Sequence, residues 1–327
     1  MTTEVSLTRA FDAFSRLERA LGEVIVGQKD VTRRTLIALL ARGNVLLEGV
    51  PGLGKTMLVR TLSHALDVPF SRIQFTPDLM PTDIIGTNIL RETGGDRRFE
   101  FSPGPLFASI VLADEINRAT PKTQSALLEA MEERTITVAG TTYALAEPFI
   151  VLATQNPIEM EGTYPLPEAQ LDRFLLKIAV EYPSLDELVR ITTLNTEAAD
   201  IAFPAPVATA QDVLDARSVV RALPIAAGLR EHVARLVLAT HPASAHAPAM
   251  VRDFVQYGAS PRAAIAMILA AKAHAFLSGE VHVRPSDVEA VFLPALNHRI
   301  ILNFKGEAEG ASTTMILRDV WQKVPVL

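Results

Sequence analysis

The sequence predicts an α/β fold: a largely parallel five-stranded sheet in the first part and helices alone in the second. Three observations predict it. Gly49-Val50-Pro51-Gly52-Leu53-Gly54-Lys55-Thr56 matches the phosphate-loop pattern G-x-x-x-x-G-K-[ST] at each fixed position. It lies between the apolar run Asn44-Val45-Leu46-Leu47 and a helical pattern with apolar residues at 58, 59, 62, 65 and 66. Short apolar runs then alternate with helical stretches up to Pro183, and no further strand-like run ending in a turn follows.

Taken in order, Leu7, Phe11, Phe14, Leu17 and Leu21 have the spacing of an amphipathic helix over 7–21. Val26-Gly27-Gln28 reads as a turn, and Val31 to Leu40 as a second helix leading into the first strand. Pro69 to Phe75 reads as a strand, and Thr82 to Gly86 as a helix that breaks at once. Thr87 to Phe101 carries Gly94-Gly95 between two alternating arms, a hairpin pattern. Ser109 to Ala113 is a third strand, Phe149 to Thr154 a fourth and Leu175 to Val180 a fifth. Pro121 to Glu133 is a helix with proline in its first turn, and Thr135 to Leu145 a hairpin around Ala139-Gly140. Residues 201–210 form a Pro/Ala connector, followed by helices near 211–221, 229–240, 261–277, 286–293 and 314–322. A boundary inside 184–210 divides the chain into 1–190 and 191–327.

The composition, 49% hydrophobic and 21% charged over 327 residues, is that of a globular chain long enough for two domains. A net charge of −6 argues against a nonspecific nucleic-acid binder as a whole. The absence of cysteine excludes disulfides, thiolate metal sites and cysteine nucleophiles. The seven histidines make no metal pattern. The N-terminus lacks the basic and apolar regions of a signal peptide, and Ala263 to Leu277 is broken by Lys272 and His274, so a cytoplasmic location is expected.

The chemistry gathers at strand ends. In the phosphate loop, backbone N–H groups and the helix N-terminus suit an anion, Lys55 would reach the outer phosphates and the Thr56 hydroxyl would bind Mg²⁺. Ile110-Val111-Leu112-Ala113 delivers Asp114 and Glu115 to the carboxyl edge of the sheet, where open α/β sheets bind ligands. Asp114 would hold Mg²⁺ through water and Glu115 would polarise the attacking water. Asn156, closing Ala153-Thr154-Gln155-Asn156-Pro157, would orient that water, although Asn156-Pro157 also serves simply as a turn. Arg173, in Leu171-Asp172-Arg173-Phe174, would reach a phosphate in a neighbouring subunit or pair with Asp172 or a nearby glutamate. Ser260 and Pro261 begin a helix as N-cap and first residue. Arg262 in its first turn is a cation where the dipole disfavours one, which suggests an anionic partner or a solvated side chain.

Together these stretches resemble the MoxR family of AAA+ ATPases. The likeness rests on Leu47 to Thr56, Leu112 to Ala119, Gln124 to Met131, Ala153 to Glu159, Glu161 to Phe174, Gly258 to Arg262 and Leu302-Asn303-Phe304, in order over nearly the whole chain. It implies an AAA+ P-loop core with ATP and Mg²⁺, an insert at 86–102 in the second core helix, a hairpin at 135–145, and a C-terminal helical lid. It implies that Asn156 is sensor 1, Arg173 the arginine finger and Arg262 sensor 2, with Arg118 and Arg134 as rivals for the finger. It further implies a ring homo-oligomer, commonly a hexamer. The implied work is chaperone-like remodelling with a von Willebrand factor A domain partner, in client maturation or metal-cofactor insertion. Two other motors share parts of this pattern: a nucleic-acid motor and a magnesium-chelatase-like subunit. Arg91, Arg97 and Arg98 form the one basic cluster in the insert, offset by Glu92, Asp96 and Glu100.

Overall fold

The computed structural model describes residues 2–93, 96–157, 162–197 and 203–325. Gly94-Gly95, Ile158, Glu159, Glu161 and residues 201–202 of the connector lie outside the described residues.

In the first part the elements are α1 (Thr2–Val24), α2 (Lys29–Leu40), β1 (Val45–Glu48), α3 (Lys55–Leu66), β2 (Phe70–Gln74), α4 (Pro81–Ile85), β3 (Gly86–Thr93) and β4 (Asp96–Pro103). Then come β5 (Ile110–Asp114), α5 (Pro121–Glu133), β6 (Thr135–Val138), β7 (Thr141–Ala144), β8 (Ile150–Gln155), α6 (Glu168–Leu171), β9 (Leu176–Ala179) and α7 (Leu185–Glu197). The main sheet has the order β2-β5-β8-β1-β9 and every pairing in it is parallel. The two expected hairpins form as antiparallel pairs, β3 with β4 and β6 with β7.

Period-two alternation sorts the strand residues between two cores. Val45, Leu47, Ile110, Leu112, Ile150 and Leu152 face one side with α1, α2 and α3. Leu46, Val111, Ala113, Val151 and Ala153 face the other, against Leu127, Leu128 and Met131 of α5. Both faces are covered, so these strands read as continuous apolar runs.

The second part holds α8 (Ala210–Ala222), α9 (Ala227–Ala239), α10 (Ala249–Phe254), β10 (Val255–Tyr257), α11 (Pro261–Leu277), α12 (Pro285–Leu296), β11 (Ile301–Leu302), α13 (Phe304–Ala308) and α14 (Thr313–Lys323). The expectation of helices alone needs one correction: β10 and β11 pair antiparallel. The ribbon is short because each strand only bridges helices that are already packed. α7 is a further addition, and residue 190 falls inside it. The apolar core that lines one sheet face continues into Val213, Val233, Met267, Phe292 and Leu317 of these helices. α1 is part of the join, with Phe14 edge-on to Phe276 of α11 at 6.0 Å between ring centres. Among the described residues no helix is long and apolar enough to cross a membrane.

Candidate functional site

β1 ends at Glu48, the loop turns through 49–54, and α3 begins at Lys55. The turn needs glycine at two points. Gly54, the N-cap of α3, sits at φ 76°, where a side chain is strained. A Cβ on Gly49 would lie 2.8 Å from the Val180 carbonyl oxygen. The Lys55 ammonium donates to the Gly49 carbonyl at 2.6 Å. Burial lowers its pKa, while Asp114 and Glu115 act in the opposite sense.

β5 carries the two acids to the same edge. Asp114 Oδ1 accepts from the Thr154 hydroxyl at 2.6 Å, and its Oδ2 accepts from Arg72 at 2.7 Å. Glu115 takes the left-handed conformation at φ 58°, which costs a residue with a Cβ roughly 1–2 kcal/mol. Its backbone N–H donates to the same Thr154 hydroxyl at 2.8 Å, which helps hold the turn. Its carboxylate accepts from Gln74 at 2.8 Å and pairs with Arg118 at 3.1 Å. Lys55, Thr56, Asp114, Glu115 and Asn156 converge on one cavity of about 200 Å³. Arg72, Gln74 and Thr154 line it as well, and sequence reasoning missed all three. The signal for Arg72 and Gln74 was the polar-apolar-polar alternation around buried Ile73. Beside the loop lies a larger cavity of about 790 Å³, walled by Val24, Ile25, Leu53, Met57, Leu188 and Ile191. At its rim Gln28 donates to the Leu53 carbonyl at 2.7 Å.

Arg173 and Arg262 are not in this cleft. Arg173 precedes β9, so it sits at the amino edge of the sheet, whereas the phosphate loop follows β1 at the carboxyl edge. Arg262 stands in the first turn of α11, whose N-cap Ser260 accepts from the Arg262 N–H at 3.1 Å. Both guanidinium groups meet Glu132 of α5, Arg173 at 3.1 Å and Arg262 at 2.7 Å. The glutamate pairing expected as one reading of Arg173 is therefore present. Asp172 pairs with buried Arg299 at 2.7 Å and accepts from Ser260 at 2.8 Å. Arg173, Arg262, Glu132 and Asp172 line a groove of about 240 Å³.

The two rivals for the finger are placed differently. Arg118 pairs with Glu115 of its own chain. Arg134 is mostly buried, donating to the Phe149 and Arg42 carbonyls at 2.9 and 2.6 Å. Burial lowers its pKa to about 10. Its counter-ion Glu147 also binds Arg42 and Arg217. Burial alone would raise the Glu147 carboxyl, but these arginines hold it down at about 2. In the first hairpin the expected offsetting of charge is seen as Arg91–Glu100 at 3.0 Å and Arg97–Glu92 at 3.4 Å. The bases of the two hairpins touch, with Phe101 stacked on Tyr143 at 4.2 Å.

Comparison with known proteins agrees with the fold. The model of the ATPase family associated with various cellular activities (AAA) matches residues 44–176, and that of the AAA lid domain matches 247–320. The chain is 44% identical to YeaC of Bacillus subtilis, over 94% of this chain and 93% of that protein. It is 44% identical to the chaperone MoxR1 of Mycobacterium tuberculosis, over 94% of this chain and 81% of that one. Against the MoxR protein of Methylorubrum extorquens the identity is 34%, over 98% and 97%. A solved structure from Cytophaga hutchinsonii superposes with a TM-score of 0.93 at 42% identity, covering all of this chain and 98% of that one.

Proposed function

The chain belongs to the MoxR family of AAA+ ATPases, and on that premise we propose how it binds and hydrolyses ATP and what the hydrolysis drives. It is a chaperone-like AAA+ ATPase. The reading of its site rests on one observation: Lys55, Thr56, Asp114, Glu115 and Asn156, from three adjacent strands' ends, share one cavity.

In this reading Lys55 leaves the Gly49 carbonyl to meet the outer phosphates, and the loop amides cradle the inner ones. The adenine enters the adjoining apolar cavity between the end of α1 and α7. Thr56 and Asp114 offer a hydroxyl and a carboxylate, the hard oxygen donors that suit Mg²⁺. Mg²⁺ held there would neutralise charge on the terminal phosphates. Glu115 takes the proton of the attacking water, and Asn156 orients that water. Gln74 holds the Glu115 carboxylate until substrate arrives.

Arg173 and Arg262 stand at the edge of the sheet away from their own phosphate loop. They serve a neighbour's nucleotide, so the working form is a ring, as a hexamer, in which each site uses two chains. We place the division between core and lid in the extended segment at 203–209. The hairpins at 86–103 and 135–144 meet the client. A partner with a von Willebrand factor A domain, and a role in client maturation or metal-cofactor insertion, complete the proposal.

Complementation tests it. Arg173→Ala should bind ATP yet hydrolyse poorly, because a finger in trans is worth ~10³–10⁵ in rate. Lys55→Ala should bind poorly yet still lend its finger. Mixing the two should restore part of the activity. A mixture that stays inactive although mixed oligomers form, with Arg173→Ala alone active, would overturn the assignment.

A further inference from the structure

Glu132 lies in the last turn of α5, beside Glu129 and Glu133. The carbonyl end of a helix carries negative potential, so a carboxylate is disfavoured there. Two cations compensate it. Oε2 accepts from Arg173 Nε at 3.1 Å and Oε1 accepts from an Arg262 terminal nitrogen at 2.7 Å. One acid therefore joins a core residue to a lid residue, and these are the two arginines assigned above to the neighbour's nucleotide.

The pairing is of an exchangeable kind. Exposed fractions are 32% for the Arg173 side chain, 53% for Arg262 and 35% for Glu132. Ion pairs at such exposure hold weakly and trade partners readily. Asp172, which also comes near Arg262, turns inward to Arg299 and Ser260 and stays 3.8 Å from Arg262. A phosphate offers a guanidinium the same charged oxygens as a carboxylate, with more charge and more lone pairs.

We infer that Glu132 is a displaceable counter-ion for the Arg173–Arg262 pair. In a lone chain it holds both arginines side by side. When a neighbour docks, that neighbour's terminal phosphates replace the carboxylate. Glu132 is a positioning residue and touches no reacting atom. It sets the threshold for assembly: the arginines are released only to a site that already holds a nucleotide. This inference rests on the reading that the two arginines act in trans.

The test uses the full-length chains of the complementation experiment, with Lys55→Ala as finger donor and Arg173→Ala as acceptor. Glu132→Gln, which keeps shape and removes charge, is added to the donor alone or to the acceptor alone. In the donor it should lower the concentration giving half-maximal ATPase by about three- to tenfold. That gain should shrink in high salt, which screens the original pair. In the acceptor, whose finger is absent, it should change that concentration less than twofold. No shift or a rise with the donor variant overturns the inference, and so does an equal shift from both placements, which marks a general effect on folding or assembly. If the unmodified donor and acceptor fail to complement although mixed oligomers form, the trans reading has failed and this inference falls with it.

Discussion

Replacing Thr154 by valine isolates a residue whose part in the site is visible only in three dimensions. The Thr154 side chain is buried, with 1% of the residue exposed. Its hydroxyl donates to Asp114 Oδ1 at 2.6 Å and accepts from the Glu115 N–H at 2.8 Å. Valine fills the same space and makes neither bond. A hydrogen bond to a charged group is worth about 1.5–3 kcal/mol, and an orphaned buried N–H costs about 1–3 kcal/mol. Water entering from the cleft offsets part of this, so a net loss of about 2–4 kcal/mol is expected. The larger effect should be on rate. Glu115 keeps its left-handed turn with the help of that hydroxyl, and a shift of its carboxylate by about 1 Å costs up to 10²-fold. Single-turnover hydrolysis and urea unfolding measure the two quantities. Thr154→Ser should recover most of both losses. A valine variant that hydrolyses within about threefold of the parent would refute the claim that this hydroxyl fixes the acids.

Glu115→Gln should retain ATP and lose ~10²–10⁴-fold in hydrolysis, the usual value of a general base, whereas Lys55→Ala should lose affinity itself in a nucleotide-binding assay. Replacing residues 90–98 by a short Gly/Ser turn should leave basal ATPase largely intact and reduce client remodelling, because the Phe101–Tyr143 stack lies outside the excised part; a collapsed melting temperature would show instead that the insert supports the core. Glu147 ionises at about 2 in the fold, below its ordinary 4.5. Its stabilising contribution is therefore complete above about 4.5 and is lost as pH falls through about 2. Glu147→Gln should be less stable than the parent at pH 7, and the gap should close as chemical unfolding is followed down from pH 4.5 toward pH 2; a gap independent of pH would contradict the ionic origin.

The inner strands β1, β5 and β8 were legible because both faces are covered, so each is an uninterrupted apolar run that needs no knowledge of its neighbours. Asp114, Glu115 and Asn156 were legible because they end such runs. Arg72 and Gln74 were not, since their meaning depends on β2 lying against β5, where Gln74 is level with Asp114. Those strands are far apart in the chain. Thr154 reads locally as one more strand residue. α7 had a signal that went unused: Ser184 and Glu187 form a capping box, with the Ser184 N–H donating to Glu187 at 2.8 Å. β10 and β11 had none, because so few residues pair that helix packing alone decides them. The sequence left Arg118, Arg134 and Arg173 unranked. Burial separates Arg134 from the others, and the Glu115 contact separates Arg118.

The contact between Phe101 and Tyr143 also fixes how the first hairpin bears load. Two-stranded ribbons are weak on their own. Here the root of β3–β4 is clamped by the second hairpin, with Phe107 edge-on to Phe101 at 5.4 Å. From Phe101 to the last described pair, Thr93 with Asp96, the ribbon runs on for five residues, about 17 Å at 3.4 Å per residue. Along that span Leu90 and Phe99 face each other across the strands, 56% and 76% exposed. The result is a cantilever clamped at an aromatic root, with an exposed apolar pair two steps out from Phe101 and the charged Arg91, Glu92, Arg97 and Arg98 beyond it.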